Sequence, residues 1–376
     1  MTHAPPRGLS AAGTRAVRAR FAEQLDRGWH PGAQLAVYRD GVLALDLAGG
    51  EAAPGRSLRA SDRMLLFSAT KPLMALCIHR LHERGLLPYD APLARWWPEF
   101  AQGGKGGVTV RHVLTHAGGF PQLAPSFDWS LVGDWEYVVA QTAALEAAWE
   151  PGAAIGYHPI TYGWALGELA RRIDGRQPRE LMHDELFAPL GVAGELSLGL
   201  DGPQLAERVP VYSCSEVTRR DPVGRERATS RITELFNGEP MARAQAPAVN
   251  AYGTARALAR CYAALLPGGA PASGALLAPA TLAYAVAPHT ETAFDRTQEV
   301  PKRYALGWYA SGLAGDPFDY HDGPGVFGHA GQQSSVAYAD PRYGLAVAYL
   351  TNGLQAPDIV TQRMAEMAAA LRAACA

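Results

Sequence analysis

Lysine is nearly missing from this chain: of 34 basic side chains in 376 residues, only Lys71, Lys105 and Lys302 are lysines. Arginine carries the rest of the positive charge. Cysteine is scarce too, and Cys77, Cys214, Cys261 and Cys375 lie far apart with no Cys-x-x-Cys spacing. That excludes a thiolate metal motif or a disulfide framework, and reads as reduced, packing thiols. No basic or acidic block occurs and the net charge is −2. Neither nucleic acid nor an anionic membrane surface is therefore an expected partner. No apolar run approaches the roughly 18 residues of a spanning helix. Residues 1–7 hold no apolar stretch of the signal-peptide kind, so a cytoplasmic location is expected.

What is present is enough to build a large core. Hydrophobic residues make up 48% of the chain, and 40 glycines and 28 prolines are spread along it as turn markers. Two lobes are expected at this length. Residues 13–27 place Val17, Phe21 and Leu25 on one helical face. The β-prone runs 34–38 and 42–46 are joined through Arg39-Asp40-Gly41, a hairpin signal. Residues 68–84 turn helical, with Leu73, Leu76, Cys77 and Leu81 aligned and Gly85 as the stop. Pro72 lacks an N–H and fits only a first turn, which pins the helix start near Ser68.

Residues 86–290 read as short helices between Pro- and Gly-rich connections, clearest at 161–172. The arginine-rich stretch 213–248 reads as a long loop, a lid or pocket rim. Strands are expected at 304–309, 325–330, 334–339 and 344–350, then a helix from Asp358 with Val360, Met364, Met367 and Leu371 on one face. The fold class is therefore α+β: an antiparallel sheet from residues 1–67 and 291–376, flanked by helices. Residues 68–290 would form a mainly helical second lobe, with the active site between the two.

The scarce lysine matters because Lys71 follows Ser68 by three residues, in Ser68-Ala69-Thr70-Lys71. An amine can lose its proton when desolvated and then act as a base, which a guanidinium cannot do. With 14 serines and three lysines, chance alone supplies roughly 0.1 such pairs. A short pattern still needs support from elsewhere. Ser68 at a helix N-terminus would present its own N–H as an oxyanion donor, with Lys71 on the same face beneath it. Two further segments supply the support. Tyr157 lies in a tight connection, 156–159, just before the 161 helix. His329-Ala330-Gly331 lies among the C-terminal strands, where small residues would admit a ligand to the backbone.

Together these three segments resemble the serine β-lactamase-like superfamily, especially its class C-like and family VIII carboxylesterase branch. Ser68-x-x-Lys71 matches the nucleophile motif, Tyr157 the tyrosine of Tyr-x-Asn, and His329-x-Gly331 the strand motif. Ser-x-x-Lys paired with a Lys-Thr-Gly strand is an established signature of β-lactamases and penicillin-binding proteins. The resemblance implies acyl transfer. Ser68 would attack a carbonyl, Lys71 and Tyr157 would carry the proton, and the N–H groups of Ser68 and Gln332 would hold the oxyanion. No cofactor is implied.

Two departures from the family pattern point to uncharged esters. Pro159 stands where asparagine would offer an amide, and His329 stands where lysine would hold a carboxylate at neutral pH. The expected activity is hydrolysis of small or short-chain esters. A β-lactamase, a D-amino-acid-specific peptidase or an acyltransferase would use the same residues, and a non-catalytic binding module is the alternative of another class. Other patterns fail their context tests. The run 323–328 has the dinucleotide spacing but leads into a strand. His112 and His116 have metal-ligand spacing without the glutamate a zinc protease needs, and read as structural.

Overall fold

A seven-stranded antiparallel sheet joins the two ends of the chain in the computed structural model, which describes residues 8–214, 225–291, 293–313 and 325–376. From one edge its strands run Tyr309–Ala310, Phe327–Gly331, Ser335–Asp340, Leu345–Thr351, Gly32–Arg39, Val42–Ala53 and Arg56–Ser57. The N- and C-terminal portions meet at its centre, where Ala33 pairs with Thr351 and Arg39 with Leu345. Both central strands are buried throughout, because each face of the sheet is covered. On one face Leu35, Val37, Val347 and Tyr349 meet the first helix, Ala11–Asp26, and the last, Pro357–Ala374. On the other, Ala36, Ala346 and Ala348 lie under the helix Ala255–Ala263. Their small side chains let that helix approach closely. Residues 255–263 thus form a layer on the sheet, where the sequence placed them in the helical lobe.

The first hairpin turns through Asp40 at φ +49° and Gly41 at φ +81°, as the Asp-Gly signal requires. Beyond it, the helix Lys71–Glu83 is the hub of the helical part. Ten of its thirteen residues are buried, and it packs on the helix Thr161–Asp174. Each fully buried leucine or methionine there contributes about 1.5–3 kcal/mol.

Three expectations are corrected. The stretch 213–248 is not one long loop: helices span Arg225–Asn237 and Glu239–Arg243, while residues 215–224 lie outside the described residues. Of the expected strand 304–309 only Tyr309 joins the sheet, in the short strand Tyr309–Ala310. Gly307, at φ +96°, reverses the chain there, and a Cβ on it would lie 2.3 Å from Ala75 Cβ. The helix expected from Ser68 begins as a 3-10 turn over Phe67–Thr70 before the α-helix takes over at Lys71. Residues 323 and 324 of the glycine-rich run also lie outside the described residues; its remainder enters the strand Phe327–Gly331.

Candidate active site

The serine turn is built under constraint. The strand Met64–Leu65 pairs with Ala251–Gly253, and Thr70 Oγ1 accepts the Ala251 N–H at 3.1 Å. Phe67 then takes φ +48°, a conformation that costs a non-glycine residue on the order of 1–3 kcal/mol. Packing holds it there: its buried ring meets Phe236 edge-on at 4.8 Å. The result is exposure of a single hydroxyl. From Met64 to His79, Ser68 alone is not buried.

Lys71 is fully buried, and its Nζ is surrounded by three oxygens. Pro159 O lies at 2.7 Å, Ala248 O at 3.3 Å and Ser68 Oγ at 3.3 Å. The ring of Tyr157 lies 4.6 Å away. No carboxylate is among these partners, and burial drives the lysine pKa well below its usual value. A neutral amine has two N–H bonds and one lone pair. The two carbonyls take the N–H bonds, which leaves the lone pair for the proton of Ser68.

Tyr157 is positioned by its backbone. Its N–H donates to Asp295 Oδ1 at 3.1 Å, and the same oxygen accepts from Thr297 and Gln298 N–H. Asp295 Oδ2 accepts the Tyr304 hydroxyl at 2.7 Å, so this fully buried carboxylate is satisfied without a cation. His116, at φ +59°, grips the same loop from below. Its carbonyl accepts Gly156 N–H, its Nδ1 accepts His158 N–H, and its ring lies 4.6 Å from that of Tyr157. The Tyr157 hydroxyl is in hydrogen-bonding reach of Ser68 and Tyr309. Burial raises its pKa well above the usual tyrosine value, with Tyr309 adding to the effect. It therefore rests as a phenol.

The strand Phe327–Gly331 closes the site from the sheet side. Gly331 does more than admit a ligand: a Cβ there would lie 2.4 Å from Leu66 O, so the glycine lets the strand press on the serine turn itself. His329 donates from Nδ1 to Ala330 O at 2.7 Å and stacks on Tyr309 at 4.3 Å. Burial, then Lys71, hold its pKa well below the usual value, so it is neutral. Its Nε2 is buried with no partner. Ala330 is partly exposed and Gln332 exposed, and among the described residues the Gln332 N–H has no acceptor.

Ser68, Lys71, Tyr157 and His329 are thus brought together, with Ala330, Gly331 and Gln332 along the adjoining strand end. Pro159, read from sequence only as a missing amide, contributes a carbonyl to Lys71. His158 is a loop residue whose Nε2 accepts Phe120 N–H at 3.1 Å. His112 caps the helix Val110–Leu114 with Thr109. Among the described residues no cluster of three or more His, Cys, Asp or Glu is arranged to hold a metal. His116, read from sequence as structural, is so; sequence reasoning missed Asp295 and Tyr309, whose roles arise from long-range contacts. It also missed Lys302, whose Nζ lies 5.0 Å over the Tyr309 ring. Its scarcity was the one available signal.

The beta-lactamase family model matches residues 17–371. The esterase/beta-lactamase LipL of Mycobacterium tuberculosis is 32% identical over 367 residues, 92% of this chain and 82% of that protein. A penicillin-binding protein homolog from Caulobacter crescentus superposes with a TM-score of 0.81 at 30% identity, over 98% of this chain and all of that one. A family VIII carboxylesterase does so with a TM-score of 0.81 at 26% identity, over 98% of this chain and 100% of its own. Among the described residues no helix is long and apolar enough to cross a membrane.

Proposed function

We propose that this chain, which belongs to the beta-lactamase family, uses its serine-hydrolase site to cleave small, uncharged carboxylic esters through an acyl-enzyme on Ser68. The observation that carries the reading is the lysine cage. Lys71 Nζ is buried on two carbonyls and the partly exposed Ser68 hydroxyl with no carboxylate partner, so on losing a proton it keeps both N–H bonds on the carbonyls and turns its lone pair to Ser68. Lys71 takes the Ser68 proton as Oγ attacks the ester carbonyl. The tetrahedral oxygen is held by the N–H groups of Ser68 and Gln332. Tyr157, resting as a phenol, gives its proton to the departing alkoxide and is reprotonated through Lys71. Water then repeats the sequence on the acyl-enzyme.

The preference for esters rests on what the pocket does not offer. His329 is neutral and its one N–H is spent on Ala330 O, so it cannot hold a substrate carboxylate. Pro159 has no side-chain amide for a lactam or peptide. One observation favours a second reading, a β-lactamase or D-amino-acid-specific peptidase: Lys302 brings a cation beside Tyr309 at the rim. The test compares p-nitrophenyl acetate and butyrate with a chromogenic cephalosporin, each repeated with Ser68→Ala. Ester turnover should dominate and fall by about a thousandfold or more in Ser68→Ala. Ester hydrolysis that survives the substitution would sink the assignment. Rapid cephalosporin turnover with negligible ester activity would promote the second reading.

A further inference from the structure

The last helix, Pro357–Ala374, buries an arginine that the chemistry above leaves unused. Arg363 shares the apolar face of that helix with Met364, Met367 and Leu371 and has no exposed surface. Removing a guanidinium from water is costly unless a carboxylate neutralises it. Among the described residues no carboxylate pairs with this one. Instead Nη2 donates to the carbonyls of Ser334 at 2.9 Å and Gln333 at 3.3 Å. Nη1 lies 3.4 Å from His30 Nδ1, and Nε is buried without a partner. Burial, then Arg363, hold the His30 pKa well below its usual value, so that nitrogen stays free to accept.

Both carbonyls belong to the turn that carries the expected oxyanion donor. The turn closes through Ser334 N–H to Gly331 O at 3.1 Å. Its third residue, Gln333, sits at φ +47°, a region that side chains other than glycine enter at a cost. Gln332, the second residue, points an N–H without an acceptor from this strained unit. Thr351 Oγ1 also donates to Ser334 O, and Gln355 N–H to Gln333 O. Among the described residues only Arg363 bonds both carbonyls from one rigid group, a use suited to the planar guanidinium fork.

We propose that Arg363 is a positioning residue for the oxyanion donor: it pins the 331–334 turn and thereby fixes the direction of the Gln332 N–H toward Ser68. The inference rests on the serine-hydrolase reading of the site given above. A misplacement of about 1 Å in a catalytic group can cost on the order of 10²-fold in rate.

Arg363→Met separates positioning from plain structural support. Methionine fills apolar space and removes a buried charge, a change that is often neutral or stabilising. Each carbonyl keeps its other donor. The measurements are kcat and KM for p-nitrophenyl butyrate, Tm, and amide hydrogen exchange at residues 332–335, for the unsubstituted protein, Arg363→Met and Arg363→Lys. Arg363→Met should lower kcat about ten- to hundredfold, change KM by less than about threefold, and leave Tm equal or higher. The 332–335 amides should exchange faster. Arg363→Lys, which can still donate to the turn, should recover part of kcat. Retention of kcat in Arg363→Met, or a loss explained wholly by unfolded protein, would overturn the assignment. If Arg363→Met does not fold, Arg363→Lys decides. Reduced kcat at unchanged Tm supports positioning, and full kcat with loosened 332–335 amides refutes it. Absence of Ser68-dependent turnover in the unsubstituted protein would overturn the reading of the site, and the inference with it.

Discussion

Two lysines are sealed inside this molecule, and three oxygens surround each. Lys105 faces the carbonyls of Gln102, Ala143 and Leu145; Lys71 faces those of Pro159 and Ala248 and the hydroxyl of Ser68. A carbonyl can only accept. Lys105 must therefore donate three times, and that takes an ammonium. At Lys71 one of the three oxygens carries its own proton, so a neutral amine leaves no partner unmatched. Burial lowers both pKa values. For Lys105 the pKa falls to about 8, with Glu146 opposing the shift; for Lys71 the lowering is large and no carboxylate opposes it. One hydroxyl separates the cage of Lys105, which needs an ammonium, from that of Lys71, which also suits a neutral amine.

The sharpest way to break that contrast is Lys71→Arg. It puts a permanent cation in place of an amine that can deprotonate, so the base is lost and ester turnover should fall by about 10²–10⁴, as far as in Lys71→Ala. A near-normal kcat would mean that Lys71 acts only through its charge. The second test is the pH profile. Because the Lys71 pKa is lowered, the neutral base accumulates as pH rises through that value. kcat/KM should climb with pH through that value and level off above it, at lower pH than an ordinary lysine would allow; a fall with rising pH over that range would contradict the assignment.

The smallest effect concerns Lys105. Lys105→Met should leave kcat per folded molecule unchanged and cost about 1–3 kcal/mol of stability, seen in urea unfolding, since three carbonyls lose their donor. An unfolded lysine titrates near about 10.4 and folded Lys105 near about 8, so between those values the unfolded chain binds more protons. Stability should then rise with pH across that window in the unsubstituted protein, relative to Lys105→Met. An identical pH dependence in the two proteins would remove Lys105 from the account.

Much of this was readable in the chain. Period-2 and period-3.6 patterns placed the first hairpin, the serine helix, the helix at 161 and the last three strands within a few residues. The stretch 213–248 was misread because its helix Arg225–Asn237 carries its apolar anchors, Ile232, Leu235 and Phe236, only toward its end. The sequence of the last helix showed an apolar face at Met364, Met367 and Leu371, but a charged Arg363 on that same face contradicts binary patterning. Asp295 gave no local signal, and His116 showed only that it was structural, not what it supports. They act across 138 and 42 residues of chain respectively, on backbone groups of the Tyr157 loop.

The sequence by itself determined which side chains to look for: a serine, a lysine one turn later, a tyrosine and a strand motif, each marked by residue type and short-range spacing. Whether that lysine is a base depends on which oxygens surround it, and those of Pro159 and Ala248 come from 88 and 177 residues away. Backbone carbonyls carry no identity in a sequence. Only the packed chain brings them to the amine and buries it beside Ser68.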